Sequence, residues 1–436
     1  MMFVYNLILN LLILIIIPFL PFVLLFGKKF RRGFLQRLGF MDKETLNGIK
    51  GKNIIWFHAA SVGETQALIP VINEFMNIND SVHVVITTTS INGRNKMKEI
   101  MKDRALYVCL LPLDLNFIIG PFIKKINPKM AVVVETELWP NLMDRLYAMK
   151  IPSALINGRI SQKSYSFYRF FKRFFSAVIE KFTVLMMQSE KMVVRLRMMG
   201  VRRDKMIMIR NTKYSAGGET ETQKKIAIPK SENRKIVVAG SIRKGEEYTV
   251  IKGFKKSLLG KACLIIAPRH LDRVEIAEQI LDAENMTHVR WTEVQNYKAV
   301  LFYDAIVVNT IGELQYIYKS GDYAIIGGGF KPFGGHNPME AALNSLPVIM
   351  GRNMFNFEDT SQRFVKAGGA FMIDDSPEQL AEKLNFLYDN PDKAMDMGKK
   401  GKEAIEAFKG TAATTALIIN EILLENLNNK AEINGR

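Results

Sequence analysis

A chain of 436 residues is too long for one ordinary core, and 48% hydrophobic with 24% charged residues is a globular composition that excludes disorder. Two cysteines, Cys109 and Cys263, lie far apart inside apolar runs, and five histidines are scattered, so neither a disulfide framework nor a zinc site is expected. The net charge of +17 requires an anionic partner, either nucleic acid or an anionic membrane.

The N-terminus decides between the two. Residues 1–26 contain no charged side chain and are long enough to cross a bilayer, with Pro18 and Pro21 leaving a shallow re-entrant seat open. Lys28, Lys29, Arg31 and Arg32 follow at once, which places the body of the protein in the cytoplasm. There is no basic n-region and no small-residue cleavage site, so the segment reads as an uncleaved anchor. No helix-turn-helix, zinc-finger or RNA-binding sheet motif supports nucleic acid as a partner.

Seven short apolar runs then alternate with helical patterns: 54–57, 82–87, 106–111, 131–134, 153–156, 183–187 and 206–209. Within this half, residues 165–182 interleave aromatics with Arg169, Lys172, Arg173 and Lys181. They fit a helix in the headgroup region or an amphipathic helix packed on its own sheet. A polar linker spans 215–234, and six further runs follow at 236–239, 264–267, 305–308, 323–326, 348–350 and 370–373. Strands spaced by helices imply parallel sheets. The expected architecture is α/β: an anchor over 1–27, a Rossmann-like domain over 28–214, the linker, a second Rossmann-like domain over 235–411 facing the first across a cleft, and a final helix over 412–436.

The chemistry concentrates at strand-to-helix turns, where open α/β sheets bind ligands. Residues 58–65, His-Ala-Ala-Ser-Val-Gly-Glu-Thr, place Glu64 in a first helical turn, where it is either a catalytic base or the partner of Ser61 in a capping box. Glu135, Glu137 and Trp139 end another strand, and Lys213 closes the last strand of the half. In the second half the turns are Gly240-Ser241 with Arg243, Pro268-Arg269-His270, Thr310-Ile311-Gly312-Glu313 (a second Thr-x-x-Glu capping box), and Gly327 to Glu340. In the last, Asn337 caps, Pro338 takes the first helical position and Glu340 the third. Free N–H groups, the helix dipole and Arg269 make these turns suited to a nucleotide phosphate. No Asp-x-Asp occurs, so neither a metal nor a cofactor is expected.

Six segments in one order carry a resemblance: Ser61-Val-Gly-Glu64, Glu135-Thr-Glu-Leu-Trp-Pro140, Ile156-Asn-Gly-Arg159, Ala267-Pro-Arg-His270, Ile311-Gly-Glu313 and Gly334-Gly-His-Asn-Pro-Met-Glu340. Together they resemble the 3-deoxy-D-manno-octulosonic acid (Kdo) transferase family over nearly the whole chain. The resemblance implies a GT-B fold, CMP-Kdo as donor, the lipid A precursor (lipid IVA) as acceptor, and the cytoplasmic face of a Gram-negative inner membrane with its anionic lipids. It implies no nucleic acid and no obligate protein partner. By position, Glu64 resembles the general base, and Glu135 and Lys213 the pair supporting the transition state. Pro268, Arg269, Ile311, Gly312, Glu313, Asn337, Pro338, Met339 and Glu340 resemble the CMP-binding positions. Ser61, Gly63, Ser241 and His336 are further pocket candidates. The chain departs from the family at Gly240-Ser-Ile-Arg-Lys-Gly-Glu246, at Arg210-Asn-Thr-Lys-Tyr-Ser215 and at Asn309. The alternative is another membrane-surface GT-B glycosyltransferase or a nucleotide-sugar epimerase.

Overall fold

A computed structural model describes residues 1–19, 21, 25, 31–102, 104–209, 212, 234–294, 302–406 and 410–434. Lys213, Arg210, Asn211 and the linker residues 215–233 lie outside the described residues. Two compact units result, Met1–Ala216 with Gly410–Arg436, and Gly217–Lys409.

The first unit is built on seven parallel strands: β1 (Ile54–His58), β2 (His83–Thr88), β3 (Ala105–Leu110), β4 (Met130–Val134), β5 (Ser153–Gly158), β6 (Val184–Met187) and β7 (Met206–Met208). Their order is β3-β2-β1-β4-β5-β6-β7. Each residue of β1, β4 and β5 is buried. Burial on both faces is why these strands are continuous apolar runs in the sequence. Alternate side chains serve opposite faces. Trp56 joins Phe122 and Phe182 on one side, and Phe57 joins Phe75 on the other.

The final helix, Thr411–Asn434, returns to this first unit. Ala412, Ala416, Ile419 and Leu423 enter the core on the Phe57 side, and Asn79 Nδ2 donates to Asn420 Oδ1 at 2.7 Å. The helix Val62–Ile78, which carries Glu64, is thereby packed between its sheet and the chain's last helix.

The second unit repeats the plan with β8 (Lys235–Ile242), β9 (Ala262–Pro268), β10 (His288–Arg290), β11 (Ala305–Val307), β12 (Tyr323–Ile326), β13 (Val348–Gly351) and β14 (Ala370–Ile373). The order is β10-β11-β9-β8-β12-β13-β14, again all parallel. Strand order reverses between β1 and β4 in the first unit and between β8 and β12 in the second. Such switch points are where doubly wound sheets open a ligand crevice. Glu64 and Glu135 follow β1 and β4, Ser241 lies at the end of β8, and the Gly327–His336 loop follows β12.

The aromatic stretch is not one helix. Two helices, Gln162–Phe170 and Lys172–Ile179, meet at Phe171, whose φ of −100° and ψ of 37° leave the helical region. Val178, Ile179 and Phe182 are buried against the first sheet, whereas Phe167, Phe170 and Phe171 are exposed. Tyr165 and Tyr168 of the first helix also pack against that core, as the reading of an amphipathic helix on its own sheet expects.

Candidate active site

Glu64 makes the capping box that its spacing from Ser61 predicts. Ser61 is the N-cap, its Oγ accepting from Glu64 N at 3.3 Å and donating to Glu64 Oε1 at 3.0 Å. The second carboxylate oxygen accepts from Ala60 N at 2.7 Å. This box fixes the carboxylate at the C-terminal end of β1. Burial is the largest influence and raises its pKa to about 7; the Ala60 N–H opposes that, and the Glu135 and Glu137 charges add to it. A carboxyl that titrates near neutrality is suited to general-base work. The first turn is open beside it: even a Cβ on Gly63 would meet only Ser61 Oγ, at 3.8 Å.

The turn after β4 supplies the neighbouring charges. Glu135 sits at φ 57°, a left-handed conformation that a non-glycine residue rarely adopts. Its N–H is held by Ile156 O at 2.9 Å, and Thr136 Oγ1 bonds Arg159 O across β5. Asn157 on β5 is also left-handed, at φ 55°. Backbone strain of this kind clusters at functional turns. Glu137 Oε2 accepts from Trp139 Nε1 at 2.9 Å and lies 3.8 Å from His58 Nε2. His58 is buried, with Nδ1 against Thr87 Oγ1 at 2.9 Å. Thr212, the residue before Lys213, is pinned to the Glu64 helix through Ala67 O at 2.9 Å and to Asn157 Oδ1 at 3.3 Å.

The second unit gathers positive charge. His336 is pushed down to about 4 by burial, then by Arg269, Arg243 and His270. It stays neutral at pH 7, while Arg269 and Arg243 beside it are cationic. The Arg243 guanidinium stacks over Phe333 at 4.5 Å. Arg269 is exposed at the end of β9, its N–H held by Ile242 O at 2.8 Å. Ser241 turns the chain at φ 56°.

Two expectations here are corrected. The helix after the glycine-rich loop is Met339–Leu343, with Pro338 at the N-cap and Glu340 second in the helix, although the Asn337 side chain does accept from Met339 N at 3.1 Å. Thr310 Oγ1 does donate to Glu313 Oε2 at 2.5 Å, but Gly312 at φ 94° interrupts the turn and the helix begins only at Leu314. Helices of five and four residues add little dipole, so the phosphate argument rests on the arginines and free N–H groups.

A buried carboxylate that the sequence reading missed holds the loop itself. Glu246 accepts from Gly328 N (2.6 Å) and Arg243 N (2.9 Å) on one oxygen and from Phe330 N (3.0 Å) and Lys331 N (3.1 Å) on the other. The loop also packs against the β8 turn. A Cβ on Gly327 would fall 2.4 Å from Ser241 O. Gly327→Ala is therefore expected to destabilise this unit by about 1–3 kcal/mol, read as a lower urea midpoint. Among the described residues, no group of three or more His, Cys, Asp or Glu could hold a metal ion.

A family model described as 3-deoxy-D-manno-octulosonic-acid transferase (kdotransferase) matches residues 32–216. The chain is 27% identical over 421 residues to the 3-deoxy-D-manno-octulosonic acid transferase of Haemophilus influenzae, covering 95% of this chain and 96% of that one. The chain is a relative of the Kdo transferases, and it is a glycosyltransferase. The stretch of this Kdo transferase relative that the family model covers includes Glu64 and Glu135, and stops before the second-unit turns. A glycosyltransferase from Rickettsia africae superposes with a TM-score of 0.59 at 15% identity over 86% of this chain and 100% of that one. A UDP-GlcNAc 2-epimerase from Neisseria meningitidis, bound to UDP-GlcNAc, gives 0.58 at 15% over 87% and 100%. These likenesses show the GT-B fold, which transferases and epimerases share.

Proposed function

We propose that the protein transfers Kdo from CMP-Kdo to the lipid A precursor, lipid IVA, by an inverting single displacement with Glu64 as general base. The observation that carries this reading is Glu64 itself: a buried carboxylate at a switch-point turn, held by a cap and titrating near 7. The acceptor hydroxyl oxygen forms a bond to the anomeric carbon of Kdo. Its proton passes to Glu64, and the bond to CMP breaks with the electron pair leaving on the phosphate. Arg269 and Arg243 offset that developing charge, with Pro268, Ile311–Glu313 and Asn337–Glu340 as the CMP contacts. Glu135 and Lys213 support the transition state. No metal or further cofactor takes part.

The setting is the cytoplasmic face of the inner membrane, where the anionic surface attracts the basic chain and the apolar N-terminal helix holds it near a lipid-embedded acceptor. The test is CMP release from CMP-Kdo by the detergent-purified protein, with and without lipid IVA. Release that requires the acceptor supports the transferase. Turnover of a nucleotide-sugar with no acceptor present would favour an epimerase, and acceptor dependence satisfied only by another lipid would replace lipid IVA.

A further inference from the structure

The N-terminal helix, Met2–Ile16, does not stand away from the first unit. Met2, Tyr5, Asn6, Leu9 and Ile13 are partly covered, while Phe3, Leu7, Ile8, Leu11, Leu14 and Ile15 are exposed. The partly covered positions recur at helical spacing and form one stripe, although none of them is buried. Tyr5 fastens the early end. Its hydroxyl donates to Asp114 Oδ2 at 3.3 Å, and its ring stands 5.4 Å from that of Phe174. Asp114 is a fixed point: it is buried and also accepts from Asn141 N at 3.0 Å and Leu142 N at 2.7 Å, at the start of the helix Pro140–Ala148.

That contact is incompatible with a perpendicular span. Fourteen residues of helix separate Tyr5 from Phe19, a rise of about 20 Å. If the segment crossed the bilayer with residues 31 onward in the cytoplasm, Tyr5 would reach the far side and carry its partners with it. The exposed Arg169, Lys172 and Arg173, next to Phe174, would then lie at hydrocarbon depth, where such charges are strongly disfavoured. The bend between the two aromatic helices carries uncovered aromatics, with Phe170 80% and Phe167 55% exposed. Apolar tips rimmed by cations match an anionic bilayer interface.

We propose that the N-terminal helix lies in the plane of the bilayer interface, tied to the first unit at Tyr5, and forms with the Phe167–Phe171 bend one membrane-binding face that enters a single leaflet. The proposal rests on the membrane setting given above and specifies its geometry. The experiment joins two measurements on the full chain in native membranes. A short thiol crosslinker is applied to the Tyr5→Cys/Phe174→Cys double variant, against a background in which Cys109 and Cys263 are buried. Separately, protease is applied to spheroplasts and to inverted vesicles carrying an epitope tag ahead of Met1. Crosslinking together with tag cleavage in inverted vesicles only is the expected result. Tag cleavage in spheroplasts, or no crosslink, overturns the in-plane helix while leaving membrane attachment intact. Protein that fails to sediment with membranes overturns the membrane setting and this proposal with it.

Discussion

Replacing Glu64 by Gln lowers acceptor-dependent CMP release by about 10²- to 10⁴-fold while CMP binding is retained. The substitution keeps size and an acceptor for the Ala60 N–H, and the Ser61 cap on the Glu64 N–H does not depend on the carboxylate. What disappears is the ability to take a proton. In the wild type the active form is the carboxylate, so the rate should rise with pH through about 7. The Gln variant's residual rate should lack that limb. The same shift has a stability consequence of definite sign. A carboxyl whose pKa is higher in the fold than in the unfolded chain favours the fold most at low pH, and that advantage is lost as pH rises through about 7. The difference is on the order of 3 kcal/mol. Thermal midpoints should therefore show Glu64→Gln gaining on the wild type between pH 5 and pH 8. Full activity in Glu64→Gln would reduce this carboxylate to its capping role.

Much of the fold was legible because parallel strands buried on both faces leave unbroken apolar runs, and thirteen of the fourteen strands coincide with such runs. The exception, His288–Arg290, has three partly covered residues at a sheet edge, and nothing in His-Val-Arg marks a strand. The final helix was legible as a helix but not as a partner of the Glu64 helix. Its Ala412, Ala416, Ile419 and Leu423 stripe would fit any apolar surface, and the choice is made by shape some 340 residues away. The aromatic stretch misled for another reason. Its break at Phe171 carries neither glycine nor proline, and the Phe167 ring meets those of Phe171 and Phe175 across it only in the folded chain. At the site, Glu64 was legible because its cap partner is three residues away. His58 reads as the end of an apolar strand, and its proximity to Glu137 exists only once β1 and β4 lie side by side.

Glu246 was invisible for the same physical reason, and it carries the largest stability prediction. An acid in a first helical turn reads as an ordinary dipole partner. Three of its four N–H donors, however, lie 82 to 85 residues downstream. Burial pushes its pKa up, while those four N–H groups pull it down. Glu246→Ala strips four backbone donors of their acceptor at once. Each buried donor left unmade costs about 1–3 kcal/mol, and water entering the vacated space recovers part, so a loss of about 3–6 kcal/mol is expected. Glu246→Gln is the more telling variant, because its amide nitrogen turns a donor toward backbone N–H groups that already donate. The loop from Gly327 to Lys331 should then relax, and CMP affinity measured by calorimetry should fall about tenfold or more, a change of about 1.4 kcal/mol per decade. Glu247→Gln is the control. It disturbs an equally buried carboxylate, paired with Arg273 at 2.8 Å, whose bonds do not reach the loop. Urea midpoints should drop in both variants, but CMP affinity only in Glu246→Gln. Equal affinity in the two would mean the glycine-rich loop keeps its shape without the carboxylate beneath it.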